Sequence, residues 1–145
     1  MEWIIGMEAP DMVIEERQFL QPRYVLNVLS EKSTDENGTE QWRWLRVPLP
    51  VGRIKYADIV AGVVRGKYTQ DDMEAITNNM AAVNAVFMQT LVTEGILEAT
   101  KYLKESINDD NTARFKEMQE WRTKAKKVAS EVIAYAKEKG MMVES

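Results

Sequence analysis

The segment "EQWRWLRVPLP", residues 40–50, sets Trp42 and Trp44 two positions apart with Arg43 and Arg46 among them. Interleaved indoles and guanidiniums suit single-stranded nucleic acid, which needs stacking platforms inside a positive field. On a β-strand the same pattern is a face to bury, because alternate side chains point the same way. Each buried indole then removes roughly 150–250 Å² from water. The field favours burial: residues 1–50 carry 5 basic and 9 acidic side chains. Packing, within the fold or against a partner, is the expected use of Trp42 and Trp44, with Arg43 and Arg46 at the rim and their stems along the indoles. The alternative nucleic-acid surface is "RTKAKK", where Arg122, Lys124, Lys126 and Lys127 fall in a segment, 113–139, with 8 basic and 4 acidic residues. On a helix these four fan around the solvent side of a stripe, which suits a solvated face or an acidic protein partner better than DNA or RNA.

Other chemistry is sparse. "GVVRGKY", residues 62–68, has two glycines, but a phosphate-binding loop needs four residues between them and Ser or Thr after the Lys. Here three residues intervene and Tyr68 follows Lys67, so Gly62 and Gly66 are expected to let another element pack closely. The acids Asp71, Asp72 and Glu74, and the pair Asp109 and Asp110, lack calcium-loop spacing and sit where helix starts attract carboxylates. With no cysteine and no histidine in 145 residues, disulfides, thiolate or imidazole metal sites and Ser-His-Asp chemistry are ruled out. No catalytic residue, cofactor or metal is expected, and the chain is not read as an enzyme.

The elements that must carry these residues divide the chain. Residues 1–50 are β-rich, with a short strand at 12–16 and a hairpin pairing 23–31 with 39–47 across a long polar tip ending in Asn37-Gly38. Tyr24, Leu26 and Val28 share a face, and the indoles are expected beside such residues. Pro48 and Pro50 stop the second strand. Residues 51–145 are helical. Ile59, Val60, Val63 and Val64 fall at helical spacing. Thr69 with Asp72 forms a capping-box-like start, and Met73, Ile76, Met80, Val83 and Phe87 continue at alternating 3 and 4 spacing. Residues 80–92 are apolar around most of the helix, which predicts burial on several sides, in a bundle or between subunits.

Gly95 breaks or kinks this helix and a further one runs to about Ile107. The polar "NDDN", 108–111, interrupts, and Asn111 or Thr112 can cap a last helix from Ala113 to Lys139 that stops at Gly140. Its stripe is Met118, Trp121, Ala125, Val128, Val132 and Tyr135. The expected architecture is α+β: an antiparallel hairpin or small sheet followed by three or four helices, as one compact domain or two tightly packed subdomains. An acidic Glu2 beside a very short apolar patch fails as a secretory signal, and no apolar run reaches the ~20 residues that span a bilayer. The expected location is a cytoplasm, or a particle assembled there, without a membrane.

Residues 55–79 and 115–133 carry a recognisable pattern: Tyr56-x-Asp58-Ile59-Val60, Tyr68, Asp71 and Asp72, Asn78-Asn79, then Met118-x-x-Trp121-Arg122 and Ala125. This pattern resembles segments of small uncharacterised prophage proteins of gut-type bacteria, encoded among tail and assembly genes, over about a third of the chain. The resemblance implies no catalytic activity. The expected function is therefore a phage-type structural, assembly or adaptor protein acting through protein contacts or self-association. The contact candidates are Trp42, Trp44, Met80, Val83, Phe87, Leu91 and Trp121. A nucleic-acid-associated regulator using Arg122, Lys124, Lys126 and Lys127 is the alternative.

Overall fold

A computed structural model describes residues 2–16, 21–107 and 110–144. Among these lie an N-terminal antiparallel sheet of four strands and four following helices, an α+β fold. The strands are β1 (Glu2–Gly6), β2 (Val13–Glu16), β3 (Arg23–Thr34) and β4 (Glu40–Pro48), in spatial order β1-β4-β3-β2. The helices are α1 (Tyr56–Arg65), α2 (Gln70–Glu94), α3 (Ile96–Ile107) and α4 (Asp110–Glu138). Contacts group the chain into two compact units, residues 1–67 with 122–145, and residues 68–121.

In the first unit the β3–β4 hairpin is longer than its sequence predicts, and its tip is correspondingly short. β3 continues to Thr34, and Asp35 then organises the turn: its carboxylate accepts from the N–H groups of Asn37 and Thr39 at 2.9 and 2.8 Å. Gly38 supplies the positive φ of 79° that the turn requires. A β-bulge sets Leu29 and Ser30 against the single residue Trp44, with Leu29 itself at φ 55°. The extra residue resets the alternation, so that Val28 and Glu31 fall on one face.

Register decides which side chains enter the core. Leu26 lies opposite Val47 and Val28 opposite Leu45. Tyr24, Leu26 and Val28 therefore share their face with Leu45 and Val47, all buried. The tryptophans are on the opposite face, which corrects the expectation that they lie beside Tyr24, Leu26 and Val28.

Helix α1 sits on the Leu45/Val47 face, and its two glycines allow the close approach expected of them. A Cβ on Gly62 would strike Val47 Cγ1, and one on Gly66 would lie 2.6 Å from Leu45 Cδ2. The 122–138 part of α4 contributes Ala125, Val128, Ala129, Val132 and Ala136, all buried. At its end Gly140, φ 71°, closes a Schellman motif, with the Met141 N–H donating to Ala136 O at 2.9 Å and the Gly140 N–H to Lys137 O at 3.2 Å. The tail then returns to the unit: Ile54 and Val143 bridge in parallel, and the Met142 N–H donates to the Tyr24 hydroxyl at 3.1 Å.

The second unit is helical. Tyr68, Ile76 and Met118 form its buried cluster, with Met73, Phe115 and Trp121 packed against it. Thr69 caps α2 through the reciprocal pair the sequence predicts: the Asp72 N–H donates to Thr69 Oγ1 at 3.1 Å, and the Thr69 N–H to Asp72 Oδ2 at 3.0 Å. Gly95, φ 89°, separates α2 from α3, and α3 packs back along α2 with Ala99 fully buried. Helix α4 begins at Asp110, so Asn111 and Thr112 both lie inside it rather than at its cap. The expected break falls partly on Asn108 and Asp109, outside the described residues.

Candidate functional site

The tryptophan face of the sheet is built from β1 and β4. Ile4 lies opposite Trp44 and Gly6 opposite Trp42. A Cβ on Gly6 would come within 2.5 Å of Trp44 Cη2, so this indole lies over the glycine of the neighbouring strand. Both indoles are half-buried. Lys32 Nζ stands 5.5 Å from the Trp42 ring centroid. Arg46 is held between Glu2 at 3.9 Å and Glu16 at 3.8 Å, one from each outer strand. Arg43 points to the other face, 4.4 Å from the Trp3 ring centroid and 4.0 Å from Glu31. The rim placement of both arginines is thus observed, but the indole under Arg43 belongs to β1, a strand the sequence reading omits. The indoles are partly covered and both nearby arginines face carboxylates, a poor stacking platform for bases.

Trp121 packs against the Tyr68, Ile76 and Met118 cluster of the helical unit. On α2, Val83 is buried, and Met80, Phe87 and Leu91 are half-buried. The expectation that residues 80–92 are covered on several sides does not hold within the unit. Met88 is 56% exposed and Val92 82%, and across the Gly95 turn Ile96 is 71% and Leu97 83% exposed. The sequence reading missed these four. The available signal was helical phase: with Met80, Val83, Phe87 and Leu91 turned inward, Met88 and Val92 fall off the stripe at about 100° per residue. The run from Ala75 to Thr93 contains no charged residue, so Met88 and Val92 have no charged neighbour along α2 before Glu94 at its end.

The four basic candidates do not merge into one patch. Arg122, Lys124, Lys126 and Lys127 are all exposed, while Ala125, Val128 and Ala129 between them are buried. Helical geometry puts Arg122 beside the buried line with Lys126 one turn on along the same flank, Lys124 on the opposite flank and Lys127 on the far side, with Glu131 one turn on from Lys127.

Among the described acids, Asp72 is the one whose ionisation is shifted. The Thr69 backbone N–H, then its hydroxyl, hold the carboxyl below the usual carboxylate range, with Arg114 adding a smaller attraction. Its chemistry is that of a helix cap. No group of three or more acids that could hold a metal occurs among the described residues. Gly62–Gly66 lies at the C-terminal end of α1, whereas a phosphate cradle needs a helix N-terminus. Among the described residues no helix is long and apolar enough to cross a membrane. Neither a family model, nor a curated protein, nor a solved structure matches this chain.

Proposed function

We propose that this chain is a non-enzymatic adaptor or assembly protein of the phage type, which binds a protein surface through the end of its α2–α3 hairpin. The observation that carries this reading is the group of Met88, Val92, Ile96 and Leu97, exposed on either side of the Gly95 turn with Glu94 as the one charged residue from Ala75 to Leu97. Large apolar side chains gathered in water mark interaction surfaces, because covering them recovers the hydration cost they incur when free. The resemblance of residues 55–79 and 115–133 to small uncharacterised prophage proteins encoded among tail and assembly genes supports placing the partner in a particle or its assembly machinery.

Replacing Val92 and Leu97 together by Asp tests the reading. Both side chains are more than four-fifths exposed, so the fold is expected to tolerate the charges. The wild-type chain is expected to retain companions when purified from its native host, and the double variant to lose them while keeping its circular dichroism spectrum. Identical companions for the two proteins, or none for the wild type, would refute the assignment.

A further inference from the structure

The outer side of β1 is a strand edge. No hydrogen bond reaches it among the described residues, and β4 pairs only its inner side. Soluble sheets usually guard such an edge with lysine, proline, a bulge or an inward charge. β1, "EWIIG", has no lysine, proline or bulge, and Glu2 is its single charged residue, already paired with Arg46. Two of its side chains stand open beside the edge, Trp3 at 37% exposure and Ile5 at 60%. The other edge is guarded: β2 has four residues, of which two are Glu15 and Glu16.

We propose that β1 pairs antiparallel with β1 of a second copy of this chain, joining two four-stranded sheets into one of eight. Charge selects this occupant. Pairing β1 with the β2 edge of another copy would bring Glu2 alongside Glu15 and Glu16, and would leave a free edge at each end for open-ended growth. Pairing β1 with itself about Ile4 places no like charges opposite each other. Glu2 of one copy then lies across from Gly6 of the other, the one position without a side chain. Trp3 lies across from Ile5 on one face, and Ile4 faces its own counterpart on the other. Directly opposed aromatic and β-branched residues are a favourable cross-strand pair. The arrangement closes by a two-fold axis, and both halves bury side chains that are open in the single chain.

The absence of cysteine allows a direct test on the full chain. In this register Ile4 of the two copies are directly opposed, with Cα atoms about 4.5–5.5 Å apart, inside the range a disulfide bridges. An Ile4→Cys variant is expected to form a covalent dimer under mild oxidation, and Glu2→Cys, facing Gly6 of the other copy, to form it at least about tenfold more slowly. Sedimentation from about 1 to 500 µM is expected to show a monomer–dimer equilibrium for the wild type. Ile5→Lys should weaken it by roughly tenfold or more, because the two apolar Trp3–Ile5 contacts are lost and a lysine then guards each edge. A monomer throughout that range, equal cross-linking of the two cysteine variants, or an Ile5→Lys protein that dimerises like wild type would each overturn the pairing. The last result would move self-association to another surface, and Val92→Asp with Leu97→Asp would then show whether the hairpin carries it.

Discussion

Gly62 offers the sharpest check on how α1 meets the sheet. In an isolated helix, Gly to Ala stabilises by about 1 kcal/mol, because glycine loses more backbone freedom on folding. Here the added methyl would meet Val47 Cγ1 closer than any ordinary contact. Val47 is 1% exposed, β-branched and stiff at χ1, and it sits on β4 between β1 and β3, so neither side chain nor strand can step aside. Overpacking of this kind costs about 1–3 kcal/mol, and the fixed surroundings argue for the upper half of that range. Subtracting the propensity gain leaves Gly62→Ala destabilised by about 1–2 kcal/mol.

Val47→Ala alone should cost about 2–3 kcal/mol through lost burial and the cavity left behind. Combined with Gly62→Ala, the new methyl occupies part of that cavity. The double variant should therefore be more stable than the sum of the singles predicts by about 1–2 kcal/mol. Urea unfolding followed by circular dichroism reads all four corners of the cycle. A Gly62→Ala protein more stable than wild type, or strictly additive effects, would refute the close approach of α1 to β4. Gly95→Ala serves as the contrast, since nothing lies within 4 Å of its Cβ direction and only its φ of 89° resists substitution.

Thr69→Ala should cost about 1 kcal/mol, since it removes the hydroxyl that receives the Asp72 N–H. Asp72→Asn in the same assay should remove an acid-sensitive part of the stability. Because the folded carboxyl ionises below its usual range, its contribution is complete above the unfolded value and is lost as pH falls below about 4. Matching wild-type and Asp72→Asn stabilities across that interval would contradict the cap. Gly140→Ala should destabilise by roughly 1 kcal/mol, because it forces a Cβ into the left-handed conformation at φ 71°. Thermal unfolding would register that as a shift of about 2–4 °C, and no shift would argue against the Schellman closure.

Local rules determine much of this molecule without any long-range contact. Thr69 with Asp72, Gly95 and Gly140 set helix boundaries, because capping and positive-φ geometry involve residues within a few positions of one another. Asn37-Gly38 located the hairpin turn for the same reason. Alternation along β4 separated Trp42, Trp44 and Arg46 from Leu45 and Val47, yet it could not say which set faces the core. Period 2 is blind to that choice. Tertiary structure made it, by laying Gly62 and Gly66 of α1 against Val47 and Leu45.

The short strand Glu2–Gly6 escaped the sequence reading because five residues give little period to detect, and its identity depends on finding β4 alongside. The bulge at Leu29 was hidden as well, since leucine gives no hint of a positive φ. On α2, composition showed an apolar helix, but only the packing of the helical unit determined that Val83 is covered while Met88 and Val92 meet water. Burial is a relation between elements, so a single strand or helix specifies its own shape and leaves the choice of buried face to its neighbours.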